Sequence, residues 1–312
     1  YLGRSQKSGR PRLRSSGFVL LHKPAGVTSF QALFPLKRLF KTKRVGHAGT
    51  LDLRASGLII AGIERATRLL PYLESADKVY TFRLHIGFLT DTLEWDGELL
   101  EQGKPISVKR VDLESILPLF RGKIEQIPPN YSAIKIKGVR ASDLSLQGKD
   151  FELKSRPITI YDLNVIGENE APKDSSGEAF ASFDLECHCS KGTYIRSLCR
   201  DIGLALGSFG VVSHICRKQI GSISLNDAVL PEHLSDSSII SPEHILPYPV
   251  LILSQEQAQM IRNGNWIPWK TSVETLPPEN FIFAKNEMGE IISLCRFEPG
   301  RVIPKFFIGQ EE

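Results

Sequence analysis

The sequence has no acidic residue before Asp52, although eleven lysines and arginines precede it. The first 51 residues therefore carry a charge of +11, and the rest of the chain carries −7, for a net charge of +4. Such an asymmetric distribution favours an anionic partner, with nucleic acid the first candidate and a membrane surface the second. It also raises the question of why a single carboxylate stands in the stretch RVGHAGTLDLRASG, residues 44–57.

Long apolar segments are also missing. No run approaches the roughly 20 residues of a membrane span, so no membrane association is expected. Residues 1–17 are basic and lack the apolar core of a signal peptide, so we expect a cytoplasmic protein rather than a secreted one. The glycine spacings of phosphate-binding and dinucleotide-binding loops do not occur.

Cysteine is scarce and irregularly spaced. Five cysteines, an odd number, do not suggest a disulfide framework, and reduced thiols are the favoured interpretation. The triplet Cys187-His188-Cys189 could suggest a metal site, but it lacks the paired C-x2-C spacing of zinc sites and lies in a strand-like stretch. We therefore expect neither a metal nor a cofactor.

The length of 312 residues predicts one large domain or two unequal ones. Residues 1–16 are predicted to form a basic, solvated tail. Residues 17–245 alternate strand-like and helix-like segments, which predicts an α/β domain of the α+β type. After about residue 245 prolines cluster, and one short helix with several short strands predicts a small β module over residues 246–312.

Periodicity predicts the main elements within these domains. Residues 80, 82, 84 and 86 share the apolar face of an alternating strand. The apolar run GLIIAGI predicts a buried strand, whereas the apolar stripe 195, 198, 202 and 206, ended by Gly207, predicts a helix. Further helices are predicted over residues 29–42, 66–76 and 107–120, although prolines at 35 and 71 interrupt two of them.

Several residues could carry chemistry, although each also has an ordinary structural interpretation. Asp52 in GHAGTLD would, alone, be read as a turn or helix-cap residue, and His47 as a turn residue. Tyr80 would more often belong to the core. Arg196 lies in the first turn of its predicted helix, where a cation is unfavourable unless an anion lies nearby. A surface arginine is an equally good interpretation of Arg196 alone.

Taken together, four stretches resemble the bacterial tRNA pseudouridine synthase B family. They are RVGHAGTLDLRASGLIIAGIERATRLL, DKVYTFRLHIGFLTDTLEWDG, PPNYSAIKIKGVRA and SKGTYIRSLCRDIGLALG, in that order. The resemblance extends from about residue 18 to the C-terminus. It implies the pseudouridine synthase fold, with a mixed and largely antiparallel sheet, in residues 17–245, and a PUA-like RNA-binding domain in residues 246–312.

The resemblance also implies an activity, the isomerisation of a uridine in the T-loop of tRNA (position 55). Asp52, the single carboxylate in the stretch of residues 44–57, would then be the nucleophile. Arg196 would keep it ionised, since an opposite charge at close range favours the carboxylate. Tyr80 would stack on the flipped uracil and move a proton at C5. Implied substrate-binding residues are His47, Arg68 in place of a usual lysine, Tyr194, Ile215 and Arg217.

This sequence departs from the family pattern at two places. Leu53-Arg54 follows the aspartate where Pro-Leu is usual, and Ser142 and Leu146 replace an aromatic residue and an arginine. The expected partner is the T-arm of tRNA, and a monomer is expected. Two alternatives stay open, a non-catalytic RNA-binding or RNA-folding protein on the same scaffold and the guide-RNA-dependent relative of archaea and eukaryotes.

Overall fold

A computed structural model of the protein describes residues 16–103, 108–169, 180–269 and 280–309. The basic tail predicted over residues 1–16 lies, apart from Ser16, outside the described residues. Within the described ranges no helix is both long enough and apolar enough to cross a membrane.

The described chain contains eighteen strands and six α-helices. The strands are β1 Gly17–Lys23, β2 Val45–Ala48, β3 Ser56–Ile63, β4 Lys78–Ile86, β5 Phe88–Thr90, β6 Leu99–Gln102, β7 Gly122–Gln126, β8 Lys135–Ile136, β9 Val139–Arg140, β10 Arg156–Asn169, β11 Ser182–Cys189, β12 Gly210–Ile220, β13 Ile223–Ser224, β14 Val250–Leu253, β15 Ile267–Pro268, β16 Phe281–Asn286, β17 Ile291–Glu298 and β18 Arg301–Phe307. The helices are α1 Phe34–Leu39, α2 Leu70–Glu74, α3 Arg110–Ile116, α4 Ala141–Leu146, α5 Ile195–Ala205 and α6 Gln255–Arg262.

The larger sheet has nine strands and is mixed but largely antiparallel, as the sequence predicted. Its central order is β1-β3-β12-β4-β11-β10-β7, with β2 paired to β3 and β13 paired to β12. Among the described strands of this sheet, only β3 and β12 pair in parallel. Their pairing is short, with Cys216 opposite Ser56 and Arg217 opposite Gly57. This junction joins the segment that follows Asp52 to the strand that carries Ile215 and Arg217.

Strand β4 carries the predicted alternation. Phe82, Leu84 and Ile86 are buried in one core cluster, and Tyr80 packs against that cluster. On the other face Arg83 forms an ion pair with Asp184 of β11 at 2.8 Å. On β11, Cys187 and Cys189 are buried on the core face whereas His188 is exposed on the opposite face. The three side chains of that triplet therefore do not converge on one point.

The predicted helices are shorter than expected wherever proline enters them. Residues 29–42 give a 3-10 turn (Gln31–Leu33) and α1, with Pro35 at the start of α1. Residues 66–76 give most of a 3-10 helix (Glu64–Leu69) and α2, which Pro71 opens. Proline lacks an amide hydrogen, so it is tolerated in the first turn of a helix and not in its interior.

Helix α5 packs directly on β12 because glycines face each other at the contact. A Cβ added to Gly203 would lie 2.3 Å from the backbone nitrogen of Gly210, and one added to Gly210 would lie 2.2 Å from the carbonyl oxygen of Cys199. This close approach fixes α5, and with it Arg196, against the central sheet.

Replacing Gly203 with alanine is therefore expected to destabilise the protein. Overpacking against backbone costs about 3 kcal/mol and the better helix propensity of alanine recovers about 1, so the free energy of unfolding should fall by about 2 kcal/mol. Urea denaturation measures it. Gly167→Ala is the matched control, because its new Cβ would lie 3.5 Å from the nearest atom. Equal stability of the two variants would contradict the argument.

The C-terminal sheet has five strands in the order β14-β16-β17-β18-β15, with α6 packed beside it. It is the predicted PUA-like β module. Its residues Phe281, Phe283 and Ile291 share one apolar cluster with Phe18 and Leu58 of the larger sheet. The division into domains at residues 17–245 and 246–312 stays a prediction.

Candidate active site

The loop that carries Asp52 runs between β2 and β3 and is held by buried groups from three sides. The Ser29 hydroxyl accepts a hydrogen bond from the Leu51 amide at 2.9 Å and donates to the Leu51 carbonyl at 3.0 Å. Arg217, almost fully buried, donates from Nη2 to the Gly49 carbonyl and from Nε to the Leu58 carbonyl. The loop is therefore pinned before and after the aspartate.

Lys23 fastens the third side of this loop. Its buried ammonium donates to the carbonyls of Ala55, Pro24 and Leu53 at 2.5, 2.9 and 3.4 Å. Burial lowers the pKa of Lys23 to about 8, although the nearby Asp52 carboxylate opposes that shift. A charged side chain is rarely buried without such partners, so Lys23 holds the segment that follows Asp52.

Replacing Lys23 with methionine is expected to lower the free energy of unfolding by about 2 kcal/mol, since buried carbonyls lose their donor. Turnover should fall as well, because those carbonyls flank Asp52. Urea denaturation and initial rates measure both effects. Lys123→Met on β7 is the control, since that lysine is exposed. If the Lys23 and Lys123 variants had the same free energy of unfolding, the hydrogen bonds of Lys23 to this loop would have no structural role.

Arg196 and Asp52 form an ion pair across 144 residues of sequence. Nε of Arg196 lies 2.9 Å from Oδ2 of Asp52, and Nη2 donates to Oδ1 at 3.1 Å. The arginine side chain is 5% exposed and the aspartate side chain 41% exposed. The guanidinium of Arg196 is therefore buried, whereas the carboxylate of Asp52 faces an opening. This is the anion that the position of Arg196 in the first turn of α5 required.

Glu94 is a second acidic partner of Arg196, and the sequence analysis did not single it out. Its Oε1 lies 3.6 Å from Nε of Arg196, and burial raises the pKa of Glu94. Arg196 also donates to the carbonyls of Thr92 and Tyr131 at 3.2 and 2.8 Å. The guanidinium is thus held by four groups, and its orientation toward Asp52 does not depend on Asp52 alone.

A cavity of about 100 Å³ opens in front of the ion pair. Five of the eight predicted site residues line it: Asp52, Tyr80, Tyr194, Arg196 and Ile215. Thr50, Leu51, Ala55, Thr193 and Ile195 complete the wall. The cavity therefore joins one carboxylate and one buried cation to two aromatic rings and an apolar side chain, which suits a flat and partly polar group such as a nucleobase.

Tyr80 reaches this cavity from β4, beside Arg217 of β12. Burial raises the pKa of the Tyr80 phenol, so the neutral hydroxyl is favoured at neutral pH. Tyr194 is held at the start of α5 by the Gln126 amide, which accepts from the Tyr194 backbone nitrogen at 2.8 Å and donates to its carbonyl at 3.2 Å. The backbone that carries Tyr194 is thus held in place at the edge of the cavity.

The other three predicted residues do not line the cavity. Arg217 lies beneath the Asp52 loop as described. His47 is on β2, partly buried, and burial lowers the pKa of its imidazole, which favours the neutral ring. Arg68 is exposed on the 3-10 helix that precedes α2. Their substrate-binding roles stay predictions.

The unusual Arg54 after the aspartate has a structural partner. It forms an ion pair with Asp96 at 2.5 Å. Both residues border a larger cavity of about 350 Å³, which shares Ala55 and Ile215 with the smaller one. The departure from the family pattern thus lies at the rim of the site, outside the cavity that Asp52, Tyr80 and Arg196 line. No cluster of three possible metal-ligating side chains occurs in the described part of the chain.

Comparison with solved structures shows which fold this is. The chain superposes on the structure of an H/ACA RNP bound to a substrate RNA containing 2′-deoxyuridine with a TM-score of 0.64, at 16% identity, covering 99% of this chain and 94% of the other. A Cbf5–Nop10–Gar1 complex gives a TM-score of 0.65 at 19% identity, with coverages of 99% and 91%. The fold is that of the pseudouridine synthases.

Sequence comparison then gives the family. Residues 37–195 match the N-terminal domain of the TruB family of pseudouridylate synthases. A protein named tRNA pseudouridine synthase B from Borrelia garinii subsp. bavariensis is 38% identical over 280 residues, which are 89% of this chain and 94% of that protein. One of the same name from Caulobacter vibrioides is 34% identical over 303 residues, or 93% and 94%. The chain belongs to the TruB family of pseudouridylate synthases.

Proposed function

We propose that the protein isomerises uridine to pseudouridine in tRNA, at the T-loop position that its relatives' pattern implies. The observation that carries this proposal is the exposed Asp52 carboxylate, held by buried Arg196 opposite Tyr80 in a TruB-family fold. The relatives that match nearly the whole chain are named tRNA pseudouridine synthase B, which supports tRNA as the substrate.

The reaction needs few groups because it is an isomerisation. The N1–C1′ bond of uridine breaks and a C5–C1′ bond forms. C5 loses a proton, and N1 gains a proton. Atoms and electrons balance without an oxidant, so the reaction needs a nucleophilic carboxylate, a group that takes the C5 proton and a site that holds the detached uracil. Asp52 supplies the carboxylate. Tyr80 and Tyr194 supply rings beside which the base can rotate without leaving the cavity.

The residues around Asp52 also suit a uridine that has been turned out of the RNA loop. A uridine inside a folded RNA loop must leave its stack before Asp52 can touch it. An extruded base is held by aromatic and apolar packing, and Tyr80, Tyr194 and Ile215 provide such packing around the carboxylate. Basic residues of the first 51 positions would bind the phosphates and so position the RNA.

Incubation of the purified protein with an unmodified tRNA transcript tests the proposal directly. Mapping should find pseudouridine at one T-loop uridine, and C5-tritiated uridine should release its tritium in equal amount, since C5 loses its hydrogen. RNA binding without any pseudouridine would support the non-catalytic alternative. Activity that appeared only with added guide RNA and partner proteins would support the guide-dependent alternative.

We further infer a monomer that acts in the cytoplasm. Sedimentation of the free protein measures the oligomeric state, and a dimer that lost activity on dissociation would contradict the inference. Fractionation of cells that express the protein tests the location.

A further inference from the structure

Two phenylalanine rings lie on the surface beside the Asp52 loop. Phe30 is 58% exposed and Phe34 is 40% exposed. Their centroids are 5.4 Å apart at an interplanar angle of 82°, an edge-to-face contact. The opposite side of this segment buries Ala32, Leu33 and Leu36 against β1 and β3. The buried face of this segment is therefore formed without Phe30 and Phe34. These two rings lie on its exposed side and do not contribute to the core.

A lysine lies against the two rings, and two more cations follow it closely in the sequence. The Lys37 ammonium lies 4.0 Å from the centroid of Phe30 and 5.5 Å from that of Phe34. Arg38 and Lys41 are exposed on the following turn, and no acidic residue occurs in the chain before Asp52. Exposed aromatic rings with cations beside them form the combination with which proteins bind unpaired RNA, because bases stack on the rings and the cations bind phosphates.

The rings are also linked to the catalytic loop. Ser29, the residue before Phe30, makes both hydrogen bonds to Leu51, which precedes Asp52. The Gly26 amide donates to the Leu53 carbonyl at 2.8 Å, so the whole segment before Phe30 is bonded to the loop. An RNA that places a uridine against Asp52 would therefore pass close to this surface.

We propose that Phe30, Phe34, Lys37, Arg38 and Lys41 form a stacking site for one unpaired nucleotide of the substrate RNA, outside the Asp52 cavity. The base stacks on Phe30 and Phe34, and the adjoining phosphates bind the three cations. This inference rests on the proposed function, since it takes the RNA substrate from there. A second copy of the chain is the alternative occupant of the surface.

The test compares the variant Phe30→Ala/Phe34→Ala with Phe30→Tyr/Phe34→Tyr, which keeps both rings. Leu119→Ala and Met288→Ala, at exposed apolar residues elsewhere, control for unspecific effects. Removing one stacked base contact should weaken binding of an unmodified tRNA transcript about tenfold. The dependence of affinity on salt should stay unchanged, because stacking releases no counterions. The single-turnover rate with saturating enzyme should equal that of the wild type.

Lys37→Met separates charge from stacking. It should reduce the slope of log affinity against log salt by about one, which the double alanine variant should not do. Transcripts with one abasic nucleotide at each unpaired position in turn then locate the partner. At one position the missing base should weaken binding to the wild type about tenfold and to the double alanine variant not at all.

Three results would overturn the inference. They are unchanged affinity of the double alanine variant, an equal loss in the tyrosine variant, and a wild-type dimer that the alanine variant dissociates. Failure of the proposed function would look different. In that case the wild-type protein would form no pseudouridine, while the binding and abasic measurements would still report whether the surface contacts RNA.

Discussion

Asp52→Asn is expected to abolish pseudouridine formation while leaving RNA affinity nearly unchanged. The amide has the shape of the carboxylate but is not a nucleophile, and losing a nucleophile lowers turnover by about four orders of magnitude or more. Phosphate contacts lie on other residues, so the RNA should still bind. Tritium release from C5 and filter binding with the same transcript measure the two quantities separately.

Asp227→Asn is the matched control, because that aspartate is exposed in a 3-10 turn and does not line the cavity. The Asp52 variant should fold, since Arg196 keeps Glu94 and the carbonyls of Thr92 and Tyr131 as partners. Thermal unfolding checks this. Substantial turnover by a correctly folded Asp52→Asn protein would refute the assignment of the nucleophile.

Arg196→Met should cost far more in turnover than in affinity. Without the guanidinium, the carboxylates of Asp52 and Glu94 share a partly buried space with no cation between them. Asp52 then loses both its orientation and its electrostatic support, which should lower the single-turnover rate by about two to three orders of magnitude. Stability should also fall, by about 2 kcal/mol, because the largely buried Glu94 and the carbonyls of Thr92 and Tyr131 lose their partner.

Two further variants separate these effects. Glu94→Gln/Arg196→Met removes the more buried of the two unpaired carboxylates and should regain part of the stability without regaining the rate. Arg196→Lys keeps the charge but has no planar fork to hold two oxygens, so its rate should lie between wild type and Arg196→Met. A normal single-turnover rate with a reduced salt slope would instead make Arg196 a phosphate anchor.

The sequence could predict those parts of the site that lie in short, characteristic motifs. GHAGTLD contained Asp52, GTYIRSL contained Arg196, and alternation placed Tyr80 on a strand that the structure confirms as β4. The order of strands in the sheet was not predictable in the same way. The parallel pairing of β3 with β12 joins residues about 160 positions apart in the sequence. The pattern of apolar residues within either strand does not indicate which strand it pairs with.

Glu94 and Lys23 show why the rest was missed. Glu94 stands within a quoted family stretch, but its meaning depends on Arg196, which is 102 positions away in the sequence and 3.6 Å away in space. Lys23 would ordinarily be assigned to the surface, because lysines are rarely buried. The carbonyls that bury it come from the Asp52 loop, so only the folded chain shows its role.

The apolar cluster shared by the two sheets has a consequence for how this protein can change over generations. Phe18 and Leu58 of the larger sheet pack with Phe281, Phe283 and Ile291 of the C-terminal sheet, and Arg65 donates to the Gly309 carbonyl at 2.9 Å across the same contact. A mutation that stopped translation after residue 249 would remove the C-terminal members of this cluster and should leave apolar side chains of the larger sheet less well covered. We therefore expect the C-terminal module to be inherited together with the larger sheet, since its loss should impair folding even where RNA recognition is unaffected.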